Sequence, residues 1–271
     1  VVEPFAEEFP NRFFNAGVAE QNMMGLAAGL ASEGVHVFAY SIANFPTFRC
    51  AEQIRNDIDY HNLPVTIVSV GGGLSYGNLG YSHHAVQDYA LMRVLPNMLI
   101  ASPGDPMEVR ACLRYLLSNP QPSYLRLGKA GEINIHETIP DVEPGKWLAL
   151  RIGEETKSAF LVTGAIAQDL ICERLALPEF SSKSSVFSLP LWSMASKSKQ
   201  KEYLMNLEKL AVVEDHLTDG GFGSWILEAI ATEHLISIPF SNIRLHALNS
   251  SVCGMVGSQS ALNNIGMSNV A

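Results

Sequence analysis

The stretch Val65-Thr66-Ile67-Val68-Ser69-Val70, uncharged and rich in β-branched residues, follows Pro64 and constrains the fold more than any other segment. Such a run reads as a strand buried on both faces, the pattern of parallel sheets, and parallel neighbours need crossover connections. The rest of the chain supplies them. Small and apolar residues from Gln21 to Ala31 predict a buried helix ended by Glu33-Gly34, and Val35 to Ala39 predicts a short strand. A helix is expected from Phe45 to Tyr60, loop from Gly71 to Gly80, a helix near Val86 to Arg93, and a strand near Met98 to Ala101. Helix Pro106 to Leu117 and strand Ser123 to Leu127 close the first series.

A second series follows a stretch rich in proline, glycine and carboxylates, within which Trp147 to Ile152 reads as an edge strand. Strands are expected at Ala159 to Thr163, Ser185 to Leu189, Leu210 to Glu214 and Ile243 to Ala247. Helices are expected at Ala165 to Leu175, Lys199 to Leu207 and Phe222 to Leu235. The economical reading is α/β: two parallel-sheet domains with helices on both faces, residues 1–130 and 158–271, joined by a linker at 131–157. Only a short helical lead-in, Val1 to Phe9, comes before the first series, so that domain is expected to be incomplete at its N-terminus.

Of the 271 residues, 47% are hydrophobic and 17% charged, enough apolar content for substantial cores and too much for disorder. A formal net charge of -9, with one short basic patch from Lys197 to Lys201 read as a solvated helix start, argues against nucleic acid as the main partner. No apolar run approaches the roughly 18 residues a membrane helix needs, and a cytoplasmic location is expected. The cysteines Cys50, Cys112, Cys172 and Cys253 form no C-x-x-C pair and are read as buried thiols.

The chemistry concentrates in Arg12-Phe13-Phe14-Asn15-Ala16-Gly17-Val18-Ala19-Glu20-Gln21-Asn22, which runs into Met23-Met24-Gly25-Leu26-Ala27-Ala28-Gly29-Leu30-Ala31. Taken alone, Glu20 is a first-turn carboxylate favoured by the helix dipole. Taken together, the stretch resembles the signature of the pyrimidine-binding domain of the transketolase family, shared in looser form by deoxyxylulose phosphate synthases and the β subunits of 2-oxoacid dehydrogenases. Ala51-Glu52-Gln53-Ile54-Arg55-Asn56-Asp57, Gly80-Tyr81-Ser82-His83-His84, Arg93-Val94-Leu95-Pro96-Asn97 and Tyr124-Leu125-Arg126-Leu127-Gly128-Lys129 follow in the family's order. The second half matches only generally, through Val212-Val213-Glu214-Asp215-His216 and Gly220-Gly221-Phe222-Gly223-Ser224.

The resemblance implies a thiamine diphosphate enzyme that transfers a two-carbon ketol unit between sugars. It assigns Glu20 to a ring nitrogen of the cofactor's aminopyrimidine, in a dry site expected to raise the carboxyl pKa. Phe45 and Phe48 match the aromatic loop that stacks on that ring, with Ile42 where the family often has another aromatic, although two core phenylalanines would show the same spacing. His83, with His84 beside it, matches the histidine that reaches substrate oxygens. An exposed or metal-binding histidine pair is the alternative, with no third ligand at metal spacing. Lys129 stands where the family commonly holds sugar phosphate with arginine, and it reads equally as a solvated loop lysine.

Departures fall on the sugar side. Asn78-Leu79 replaces the family's acidic pair, and Gly71-Gly72-Gly73 occupies the place of a histidine that contacts phosphate. A non-standard sugar substrate is therefore expected. The family's diphosphate and Mg²⁺ motif, G-D-G with a distant asparagine, is not found in this sequence. A partner chain, an N-terminal transketolase subunit carrying the diphosphate-binding domain and the metal ligands, is expected to complete an α2β2 assembly around a homodimer of this chain. Two other readings stand beside this one. One is the β subunit of a 2-oxoacid dehydrogenase. The other is a serine hydrolase, from Gly73-Leu74-Ser75-Tyr76-Gly77 with Asp215 and His216 downstream.

Overall fold

The computed structural model describes residues 2–172, 183–232 and 238–267. Within them are two five-stranded sheets. The first series gives parallel strands β1 (Val37–Ile42), β2 (Val65–Val70), β3 (Leu99–Ala101) and β4 (Ser123–Leu127). The second gives β5 (Leu148–Arg151), β6 (Glu155–Val162), β7 (Ser184–Ser188), β8 (Leu191–Trp192), β9 (Lys209–Leu217) and β10 (Ile243–Leu248). The first sheet runs β1-β2-β4-β3-β8 and the second β10-β9-β6-β7-β5. Both are parallel except at one edge, where β8 pairs antiparallel with β3 and β5 pairs antiparallel with β7.

The short strand β8 was not expected. It lies far along the chain, yet Trp192 sits opposite Ile100 and Leu191 opposite Ala101, so the second half of the sequence supplies the last strand of the first sheet. The two sheets also share one apolar core, in which Ile100, Tyr89 and Tyr124 pack with Leu161, Val212, Phe222 and Trp225. At its centre the Trp192 ring meets Tyr89, Phe222 and Trp225 at centroid distances of 5.2, 5.2 and 5.4 Å. Burying so much aromatic area fixes the sheets against each other more firmly than a linker could.

The expected buried helix runs Glu20–Ser32. Its buried residues, Glu20, Met24, Ala27, Ala28 and Ala31, recur at helical spacing on one face, and Glu20 lies on that face. The continuous helix expected from Phe45 to Tyr60 is instead a series of short turns, with α-helix at Asn44–Thr47, 3₁₀ at Phe48–Cys50, α-helix at Ala51–Gln53 and a π-helical turn at Ile54–Asp59. Pro46, inside the first turn, lacks the N–H that a regular ladder needs. β9 runs three residues past its expected end at Glu214, which brings Asp215 and His216 into the strand. The helix Gln259–Met267 was not foreseen. Of the helices expected at Ala165 to Leu175 and Phe222 to Leu235, the stretches Ile166–Cys172 and Phe222–Thr232 are present, and residues 173–175 and 233–235 lie outside the described residues.

Two smaller expectations are corrected. Cys50 and Cys112 are buried, but Cys172 is exposed and Cys253 is partly so. Lys197 is not freely solvated, because its ammonium pairs with Glu228, which also takes both guanidinium arms of Arg93 at 2.7 and 3.0 Å.

Candidate active site

Parallel strands gather ligand-binding loops at their carboxyl ends. In the first sheet β1, β2 and β4 are adjacent, and the expected site residues follow their carboxyl ends. Ile42 ends β1 and leads to Phe45 and Phe48, Val70 ends β2 and opens the loop to His83 and His84, and Leu127 ends β4 two residues before Lys129.

Glu20 begins the helix Glu20–Ser32, whose N-cap, Ala19, offers no side-chain cap. A carboxylate there compensates the unpaired N–H groups. Arg49 reaches it from the turn Phe48–Cys50 and donates from Nη1 to Oε2 at 2.7 Å. The helix-start main-chain N–H, more than burial, sets the carboxyl pKa, and with Arg49 it holds Glu20 below the usual range. The raised value expected for a dry site is therefore corrected for this chain: the helix-start N–H and Arg49 together compensate the buried charge.

From Arg49 a line of contacts crosses the carboxyl edge. Its guanidinium carbon lies 5.3 Å from the centre of the Phe45 ring, and Phe45 meets the His83 ring edge-on at 5.3 Å. Beyond His83 stands Tyr76, again edge-on at 6.5 Å, with the Lys129 ammonium 5.9 Å from the Tyr76 ring centre. Glu20, Phe45, His83 and Lys129 are thus brought into one chain of neighbours through two residues the sequence did not single out, Arg49 and Tyr76. Phe48 stands apart, half exposed. Ile42 is part-buried at the end of β1.

The loop after β2 is held firmly. The Ser75 hydroxyl donates to the Gly72 carbonyl at 2.7 Å, Gly73 bridges to Ala85, and Asn44 Nδ2 donates to the Ser82 carbonyl at 3.2 Å. His84 is fully buried, its Nε2 3.4 Å from the Gly77 carbonyl and its Nδ1 without a partner among the described residues. His83 is only part-buried, with Nδ1 3.0 Å from the Ser82 hydroxyl. The adjacent histidines therefore part, one into the loop's interior and the other toward the site. Among the described residues, no group of three or more His, Cys, Asp or Glu side chains is arranged to hold a metal ion.

Beneath the loop lies a buried charge network that the sequence pattern did not reveal. Arg126 on β4 donates to Asp88 at 2.7 Å and to Asp215 on β9 at 2.6 Å, and also to the Ala85 carbonyl at 2.8 Å. Tyr124 adds a bond to Asp88 at 2.7 Å. One guanidinium thus ties both sheets to the loop, because its planar fork can serve several acceptors at once. The same network places the hydrolase residues: Ser75 is bonded to Gly72, Asp215 to Arg126, and His216 Nδ1 lies 2.7 Å from the Leu217 carbonyl. Among the described residues no histidine is bonded to Ser75, so the serine, aspartate and histidine do not form a relay.

Fold and site together define an α/β protein whose candidate site residues gather at the carboxyl ends of β1, β2 and β4. Residues 2–131 match the transketolase pyrimidine-binding domain. Among curated relatives, a putative transketolase C-terminal section from Methanocaldococcus jannaschii is 37% identical over 235 residues, 85% of this chain and 72% of that protein. One of the subunits of an apulose-4-phosphate transketolase from Actinobacillus succinogenes is 32% identical, covering 86% and 74% of the two chains. A 1-deoxy-D-xylulose-5-phosphate synthase from Clostridium perfringens is 31% identical over 89% of this chain, which spans 39% of that longer protein. Among solved structures, a split-gene transketolase in an inactive β4 tetramer superposes with a TM-score of 0.81 at 32% identity, covering 97% of this chain and 82% of that one. The chain belongs to the transketolase family. Within it, this is a split-transketolase-like subunit, corresponding to the C-terminal section.

Proposed function

We propose that this chain is the pyrimidine-gripping subunit of a thiamine diphosphate-dependent transketolase that transfers a ketol unit between sugars and works only with a partner chain. The carrying observation is Glu20, a buried carboxylate at a helix start, in contact through Arg49 with the half-buried ring of Phe45. That donor set fits a flat aminopyrimidine, with a carboxyl for the ring nitrogen and an aromatic face for the ring. Thiamine diphosphate, when bound, supplies the electron sink for making and breaking the carbon bond.

This chain's residues bind, orient and move protons. Glu20 holds a hydrogen bond to the ring nitrogen, with Phe45 against the ring, Ile42 bordering it, and the half-exposed Phe48 at its outer margin. His83 exchanges protons with substrate oxygens, His84 braces the loop from inside, and Lys129 attracts the anionic end of the sugar. The diphosphate and Mg²⁺ belong to an N-terminal transketolase subunit, in a cytoplasmic α2β2 assembly built on a homodimer of this chain. Residues 1–130 form the pyrimidine-binding domain and 158–271 the C-terminal domain, linked by 131–157, a stretch that already holds β5 and the first residues of β6.

The face around Glu20 suits such docking. Phe14 is 71% and Val18 93% exposed immediately before the helix, and a side chain added at Gly25 or Gly29 would meet nothing within 4 Å. Exposed apolar area of this kind marks an interaction surface. The apulose-4-phosphate relatives favour a sugar other than the pentose phosphates of central metabolism. Efficient turnover of xylulose 5-phosphate with ribose 5-phosphate would sink that part.

Calorimetric titration of thiamine diphosphate with Mg²⁺ into the chain, alone and with its partner, tests the whole. Binding and ketol transfer are expected only with the partner, and transfer is expected to disappear in Glu20→Ala. Partner-independent binding, or full transfer in the variant, would overturn the assignment.

A further inference from the structure

The outer end of the contact line differs in kind from the inner end. Tyr76 is only half buried, yet its backbone is fixed on both sides. Ser75 before it is bonded to Gly72, and the carbonyl of Gly77 after it lies 3.3 Å from the Gly257 amide and 3.4 Å from His84. Leu74 is fully buried among residues of the second sheet, including Val162, Val213 and Leu248. The backbone on either side of Tyr76 is therefore anchored.

Its ring lies across Gly71, the first residue after β2. Gly71 has φ +86, and a Cβ built there would stand 2.1 and 2.3 Å from two ring carbons of Tyr76. Any other residue would be strained and would also push the ring away. Gly71 is the socket for the tyrosine. The Tyr76 ring neighbours both the His83 ring, at 6.5 Å, and the Lys129 ammonium, at 5.9 Å.

We infer that Tyr76 is a specificity-determining residue: its ring walls off the outer end of the sugar channel against straight-chain pentose phosphates and leaves Lys129 to pair with the anion of a more compact sugar. This rests on the ketol-transfer reading for the direction of the channel. It adds a discriminating element to it, since rejection by volume works where attractive contacts alone would tolerate both ligands.

The test is binding of two aldehyde probes, ribose 5-phosphate and glyceraldehyde, to the chain with its partner subunit, by calorimetry without a donor. In Tyr76→Ala the affinity for ribose 5-phosphate is expected to rise about tenfold or more, with that for glyceraldehyde unchanged. Tyr76→Phe keeps the wall and should behave as the native chain. Lys129→Gln in the Tyr76→Ala background should cancel the gain. If circular dichroism shows Tyr76→Ala unfolded, Tyr76→Leu carries the same comparison. Equal changes for both probes, no change, or a gain in Tyr76→Phe would overturn the inference. Absence of turnover by the native complex with every donor offered would remove the ketol-transfer reading instead, while the contrast between the two probes still decides whether Tyr76 forms a wall.

Discussion

The seam between the two sheets and the face around Glu20 are both built on a buried carboxylate with an arginine, and they behave as opposites. At the seam Arg126, Asp88 and Asp215 are almost wholly buried, and the guanidinium is bonded on several sides. At the face Glu20 is buried but Arg49 is half exposed, and apolar side chains such as Phe14 and Val18 stand in solvent beside it. One place has been finished by this chain's own residues. The other keeps a half-exposed arginine and exposed apolar side chains. A charge pair in the first setting holds the fold, because removing one partner strands the other in a dry interior. A charge pair in the second contributes little to stability.

The comparison can be broken most forcefully at the seam. Arg126→Met should destabilise the chain by about 3–5 kcal/mol, because two buried carboxylates lose their counter-charge. Urea denaturation measures this, and a loss under about 1 kcal/mol would mean that the shared apolar core alone joins the sheets. Leu74→Ala should cost about 2–5 kcal/mol on the same measurement, the range for emptying a buried leucine site, since Leu74 is a first-half residue packed in the second-half core. A loss confined to a few tenths would make the loop a loosely attached flap.

The face should respond differently. Val18→Asp is expected to leave stability within about 0.5 kcal/mol, as exposed substitutions do, and to weaken partner association about tenfold, read by sedimentation. Unchanged association would move the docking surface elsewhere.

A further prediction concerns pH. Glu214 on β9 is fully enclosed, and burial pushes its carboxyl up to about 8 although it accepts the main-chain N–H groups of Phe222 and Gly223. Between its ordinary value of 4.5 and about 8 the folded chain keeps a proton that the unfolded chain releases. This contribution to stability is therefore complete below 4.5 and lost as pH rises toward 8. Melting temperature should fall across that window, and Glu214→Gln should flatten the fall. An identical slope in the variant would assign the pH dependence to other buried carboxyls.

Much of this was legible in the sequence because it is written locally. The Val65–Val70 strand and the helix beginning at Glu20 are periodic patterns, and the residues after Gly80 lie in a recognisable order. What escaped depends on residues far apart in the chain. Arg126 and Asp215 are separated by 89 positions, and nothing around either residue announces a partner. Tyr76 reads as a loop aromatic until the empty position over Gly71 is seen. Arg49 hid because the regular helix expected there breaks into unlike turns, and only the broken path aims it at Glu20. The two-residue strand β8 is too short to carry a period at all.

That short strand sets a condition on how the molecule can be made and cut. A ribosome that has delivered everything through β4 has produced a sheet whose β3 still shows a row of unpaired main-chain groups, the kind of border that recruits other chains. The border closes only when Leu191 and Trp192 emerge and lie against Ile100 and Ala101. Severing the chain between the two series would therefore release a first fragment with an adhesive rim and a second with a stranded tryptophan, and expressing the halves together should yield far more soluble protein than expressing either alone.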